Sequence, residues 1–364
     1  MYTAISAPQL ENEVTYKLER MVQEIRKRIP YHALTSILLA GGYGRHEGGV
    51  LEEDGKLRLH NNLDVVVIVE TPGDRKRYQR ILEWYQPTAS EMFGVDVDLS
   101  INSLQQVMRN QHTMFWYDTL RHHVSLYSRN IDWSSVPEQG KQPSLEAGLT
   151  LVTNRGALLF LNKELARQPH AKSEQTLRLI QKHLVKATIG LGDIYLLLAE
   201  RYTPSYRQRL DDFKRFPSIL PNNKVRNLVI QAIQRRFEPY YTQESLSELL
   251  ERNEMVLEAY RKAIELFEAS RTKKPFQRAQ PGRHYQSVVH PKQRVSHILR
   301  NPMAFAQPHP QDTCVLQFME QLYQTDDALP LAWFLKVWGG AVDTNFKAFL
   351  QRYNVQLPQQ ETFA

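Results

Sequence analysis

The chain reads as an α+β protein: a small mixed sheet in residues 1-135, followed by an all-helical part in residues 136-364. Three observations lead there. Short apolar runs of strand length stand at Thr35 to Ala40, Leu63 to Val69 and Val95 to Ile101. Beyond Pro137 such runs give way to long stretches with apolar residues at steps of three and four. The length, 364 residues, suffices for two ordinary cores.

Taken in order, Leu10, Val14, Leu18, Met21, Ile25 and Ile29 form one apolar helix face, closed by Pro30. Thr35 to Ala40 is a strand ended by glycines, and Leu63 to Val69 is continuous and β-branched, as in a strand buried on both faces. A polar stretch separates the two. Pro72-Gly73 marks a turn, Arg75 to Tyr85 a helix, and Val95 to Ile101 a third strand. Ser103 to Arg109 reads as a helix and His123 to Tyr127 as a short strand. Helical periodicity then covers Leu145 to Leu165, Gln175 to Arg201, Asn223 to Phe237 and Ser245 to Ala269. The region 272-311 carries six prolines and reads as a long basic loop, with two more helices near Val315 to Tyr323 and Leu329 to Tyr353.

Composition narrows the class. With 42% hydrophobic and 23% charged residues, the chain has the make-up of a soluble globular protein. Its one cysteine, Cys314, excludes an internal disulfide framework and fits a reducing compartment. The N-terminus lacks the apolar core of a signal peptide, and no run reaches the ~18 apolar residues of a membrane span. A cytoplasmic location is therefore expected. The net charge of +7 is uneven: residues 201-300 hold 20 Lys/Arg against 10 Asp/Glu. From Ala269 to Gln311 there is no carboxylate. A surface for phosphates or RNA and a merely solvated basic loop both account for this.

Chemistry concentrates between residues 38 and 100. Gly41-Gly42-Tyr43-Gly44-Arg45 begins where a strand ends; glycines there let backbone N–H groups approach an anion, and Arg45 adds a charged donor. A P-loop is disfavoured because no Gly-Lys-Ser/Thr follows, and a dinucleotide turn because the βαβ spacing is missing. Asn62 and Asp64 share one strand face by period two, as do Asp96 and Asp98. Mg²⁺ takes such a compact set of hard oxygen ligands, completed by phosphates.

The combination resembles the nucleotidyltransferase superfamily of the DNA polymerase β type: apolar–Gly–Gly, a spacer, an Asx-h-Asp pair, then a third acid on a later strand. The likeness spans roughly residues 35 to 101. It implies transfer of a nucleoside monophosphate from an NTP to a hydroxyl with Mg²⁺ and release of pyrophosphate. On that basis Gly41 and Gly42, with Tyr43 and Arg45, hold the nucleotide. Asn62 and Asp64 form the metal pair, and Asp98, with Asp96 in reserve, is the third acid. The acceptor is an RNA 3′ end, a small molecule or a protein side chain. The departure is Asn62, which stands where the family has a first Asp and carries no charge. A weak or one-metal enzyme, a degenerate nucleotide- or RNA-binding regulator, and an introduced Asp→Asn change all account for it. In the helix from Gln175 to Arg201, Lys186 lies on one face with Gly190 and Asp193 and resembles the helical lysine that meets β/γ-phosphates in several members; a snorkelling lysine is the plainer account. Tyr202, Tyr206, Arg207 and Arg209 read as helix contacts or as flanks of an acceptor. His46, His112, His122 and His123 match no zinc spacing, and Trp333 and Trp338 read as anchors in a core or interface.

Overall fold

The computed structural model describes residues 1–136, 141–276 and 322. The chain opens with helix α1 (Pro8–Arg28), whose Val14, Leu18, Met21 and Ile25 are buried in the stripe expected of it. Strand β1 (Leu34–Ala40) follows and runs directly into one helical turn, α2 (Gly41–Gly44). Strands β2 (Val50–Glu53) and β3 (Lys56–Leu59) form an antiparallel hairpin, closed by Asp54-Gly55 with both residues at positive φ. That is the two-residue turn such strands favour. The hairpin corrects the sequence reading, which saw only a polar stretch: each strand is 4 residues long, and charged residues stand among its Val50, Leu51, Leu57 and Leu59.

Strand β4 (Leu63–Val69) pairs antiparallel with β1 and parallel with β5 (Val97–Ser103), giving a four-stranded sheet in the order β5-β4-β1-β6, with β6 (Val124–Ser128) at the far edge. The two central strands are buried on both faces. Ile37, Leu39, Leu63, Val65 and Val67 face α1 and α3 (Pro72–Phe93), while Leu38, Ala40, Val66 and Ile68 face Val107, Trp116, Leu120 and Trp133. The second layer comes from α4 (Leu104–Asn110) and α5 (Met114–Arg121). Helix α5, 8 residues long, was not expected from sequence.

Pro72-Gly73 is not a turn. Pro72 sits in the first turn of α3, and Thr71 and Asp74 form a reciprocal cap. Proline is tolerated there because the N–H it lacks has no helical partner in any case. The helix continues through Pro87 and ends at Gly94, left-handed at φ 71°.

The later helices are α6 (Leu145–Ala166), α7 (Glu174–Leu198), α8 (Tyr206–Arg215), α9 (Asn223–Phe237) and α10 (Leu246–Thr272). The chain falls into two compact units: Met1–Gly148 with Tyr195–Tyr241, and Leu149–Ile194 with the chain from Thr242 onward. The change from strands to helices and the boundary between units thus fall at different places. The first unit holds the sheet together with α8 and α9. The second holds a buried polar relay: Asn253 Nδ2 donates to Leu159 O at 3.1 Å, Asn162 Nδ2 to Asn253 Oδ1 at 3.0 Å, and His183 Nδ1 lies 2.9 Å from Asn162 Oδ1. A backbone carbonyl only accepts, so it orients both amides and leaves His183 Nδ1 as a donor. Gly190 and Asp193 are also buried in this unit, and Lys186 is half-buried. Among the described residues no helix is long and apolar enough to cross a membrane. The helices expected near Val315 to Tyr323 and Leu329 to Tyr353, with Cys314, Trp333, Trp338 and most of the proline-rich region, lie outside the described residues, Leu322 apart.

Candidate functional site

Topology brings three short segments to one corner of the sheet. Because β1 runs antiparallel to β4, its last residue, Ala40, lies opposite Asp64 near the start of β4. Because β4 and β5 are parallel and in register, Asp64 lies beside Asp98. Val97 belongs to the core on the α1/α3 side, so alternation puts Asp98 on the opposite face, which Asp64 shares with Val66 and Ile68. Asn62 closes the group. Its Nδ2 donates to Asp64 Oδ1 at 2.9 Å and to Asp98 Oδ2 at 2.7 Å. One amide thus bridges two carboxylates at the position where the sequence pattern leads one to expect a third acid.

The glycine turn abuts this cluster. Gly41 adopts φ +62°, a left-handed conformation that favours glycine, and a Cβ there would lie 1.9 Å from Asp64 Oδ2. Asp96 stands apart from the strand pairing; it is exposed in the segment before β5, and its carbonyl accepts from Leu63 N at 2.9 Å. Tyr43 is buried, and its hydroxyl donates to Gly49 O at 2.9 Å while burial pushes its ionisation upward. That occupies its side chain, and its carbonyl accepts from His46 N at 3.2 Å.

Sequence reasoning missed Glu47. This glutamate is buried and gathers Ser205 Oγ at 2.7 Å, Tyr206 N at 2.9 Å and Arg207 N at 3.0 Å, capping α8. Arg45 Nε stands 3.5 Å from the same carboxylate. Arg45, Arg209 and Arg236 all approach the ring of Tyr206, at 5.0, 4.6 and 5.7 Å from its centre. So Tyr206 and Arg207, read from sequence as helix contacts or acceptor flanks, hold Glu47 through their backbone N–H groups, while Arg209 bonds Thr203 O and the Tyr202 hydroxyl. No local signal marks such pairs, since 158 to 160 residues separate them. Nearby, burial and then the Arg45 charge hold His122 below the usual histidine range. Of the other histidines, His46 is exposed in the turn, its Nδ1 against Met1 O, and His123 Nδ1 lies 2.9 Å from Thr119 O.

Among the described residues no group of three or more His, Cys, Asp or Glu is arranged to hold a metal ion. The reason is local: the third place is an amide. Two carboxylates with one amide oxygen still fit a single Mg²⁺, which is commonly held by one or two carboxylates plus phosphates. The fold and this corner therefore define an α+β protein with a glycine turn set against an Asn–Asp–Asp cluster. No family model and no curated protein matches the sequence. Among solved structures it is similar to a spectinomycin adenyltransferase, AAD(9), from Enterococcus faecialis, crystallised with ATP and spectinomycin; the identity is 12% and the TM-score 0.41, over 67% of this chain and 98% of that one. A superposition so loose says nothing of residues or substrate.

Proposed function

We propose that the protein is a nucleotidyltransferase that moves a nucleoside monophosphate from an NTP to an acceptor hydroxyl. The observation that carries this reading is the convergence of Asn62, Asp64 and Asp98 beside the Gly41 turn. Backbone N–H groups of Gly41 and Gly42 hold the phosphates, and Arg45 adds charge behind the turn. Asp64 and Asp98, with the Asn62 amide turned to present oxygen, hold one Mg²⁺, which when bound supplies charge neutralisation at the α-phosphate. Asp98 accepts the proton of the acceptor hydroxyl. A bond forms from the acceptor oxygen to the α-phosphorus, the bond to the bridging oxygen breaks, and pyrophosphate departs with its electron pair.

A second reading is favoured by the Asn62 amide itself, which already satisfies both carboxylates without a cation: a degenerate protein that binds nucleotide or RNA and transfers nothing. Incubation with each labelled NTP and Mg²⁺, with total RNA or lysate as acceptor, separates the two. Pyrophosphate release with labelled acceptor is expected. Binding without release selects the second reading, and neither binding nor release defeats both.

A further inference from the structure

Three buried side-chain nitrogens around the glycine turn have no hydrogen-bond partner: Arg45 Nε, Asn61 Nδ2 and Arg236 Nη1. Buried donors are nearly always satisfied, so a group of them at one place marks a missing acceptor. Their positions are related. A Cβ on Gly42 would lie 2.6 Å from Arg236 Nη2, and one on Gly49 would lie 2.7 Å from Asn61 Nδ2. The Arg45 side chain is 7% exposed and faces Glu47 at 3.5 Å, its only carboxylate partner among the described residues. Arg236 has no carboxylate partner among them; it rests near the Tyr206 ring instead.

The geometry also sets a direction. Consecutive residues of the turn touch opposite charges: Gly41 lies against Asp64, and Gly42 against the Arg236 guanidinium. A polyanion laid across this pair would keep one end at the carboxylates, through a cation, and the other at the arginine. A guanidinium suits such an end because its planar fork meets two phosphate oxygens at once.

We propose that Arg236, backed by Arg45, is a phosphate subsite on the far side of Gly42 from Asp64, and that it takes the terminal phosphates of a nucleoside triphosphate. The identity of the polyanion rests on the transferase reading above; the anion site itself does not. Arg236 then makes the protein discriminate triphosphate from monophosphate.

The test is calorimetric titration of the full chain without acceptor, using inorganic tripolyphosphate, ATP and AMP, on wild type and Arg236→Gln. Unfolding midpoints of both are measured alongside to compare folding. Losing a charge-assisted fork should weaken tripolyphosphate and ATP by about tenfold or more and leave AMP nearly unchanged. Arg236→Lys, which keeps the charge, should fall between. Equal losses for ATP and AMP, or unchanged tripolyphosphate affinity in a folded Arg236→Gln, overturn the subsite. Should Arg236→Gln not fold, equal ATP-to-AMP affinity ratios in Arg236→Lys and wild type overturn it. Tripolyphosphate binding lost with Arg236 in a protein that transfers no nucleotide keeps the subsite and sinks the transferase reading. Transfer with the same KM for NTP in Arg236→Gln does the reverse.

Discussion

Asn62→Asp would turn a bridge into a repulsion. In the metal-free protein the Asn62 amide nitrogen stands 2.9 Å from one Asp64 oxygen and 2.7 Å from one Asp98 oxygen. The substitution removes two hydrogen bonds to charged acceptors, each worth about 1.5 kcal/mol at the low end suited to a half-buried site. It also adds a third carboxylate. At about 4 Å, a like-charge pair costs about 1 kcal/mol in water and about 4 at an effective dielectric of 20, until one carboxyl takes up a proton. Together the loss is about 4–7 kcal/mol, which for a unit of this size lowers the unfolding midpoint by roughly 8–28 °C. Mg²⁺ offsets part of this loss. A three-carboxylate cluster binds the ion more tightly, and at a hundredfold excess over Kd the bound ion returns about 2.7 kcal/mol. Scanning calorimetry in EDTA and in millimolar Mg²⁺ reads both halves, and NTP turnover should rise in the variant. Equal midpoints in EDTA, together with equal Mg²⁺ shifts, would show that Asn62 neither bridges the acids nor replaces a metal ligand.

Other perturbations follow from the same structure. Gly41→Ala forces a side chain into a left-handed backbone, about 1–2 kcal/mol, and drives Asp64 aside; urea unfolding and Mg²⁺-dependent NTP binding should both weaken, and an unchanged affinity would detach the turn from the cluster. Burial, followed by the charges of Lys186 and Lys182, lowers the pKa of His183 to about 3, so between that value and its usual 6.5 the unfolded chain binds a proton that the folded one refuses. Stability contributed by this group is complete above the usual value and falls with pH by about 1.4 kcal/mol per unit across the window; His183→Gln should flatten that dependence, and parallel urea curves from pH 7 to 4 would argue against it. Replacing Lys273, Lys274 and Arg278 by glutamine tests the acceptor: if it is RNA, the slope of log affinity against log salt should fall by about 0.7–0.9 for each phosphate no longer neutralised, and an unchanged slope removes RNA.

Much of the sheet was legible because β1 and β4 are mostly apolar runs of strand length. The pairing of Asp64 with Asp98 was legible in part: period two gave the face, while the parallel register that makes them neighbours is a tertiary fact. The β2–β3 hairpin was hidden because its strands are 4 residues each and Glu52, Glu53, Lys56 and Arg58 make the segment read as polar, even though Asp54-Gly55 is a strong turn signal. Arg236 was hidden for a different reason. Two arginines ending a helix read as ordinary partners of its carbonyl end, and only the fold shows one of them meeting Gly42.

The Glu47 carboxylate has a consequence for anyone who would cut the gene. Its three hydrogen-bond donors, Ser205 Oγ, Tyr206 N and Arg207 N, are translated more than 150 residues after it. A fragment ending near residue 135, where strands give way to helices, would carry Asn62, Asp64 and Asp98 yet keep an acid inside the turn with its donors deleted. Such a fragment should expose Glu47 and let the glycine segment wander. The smallest piece able to present the site must therefore reach past α8, and a split version would be expected to regain its turn only when the piece carrying residues 195-241 is supplied in trans.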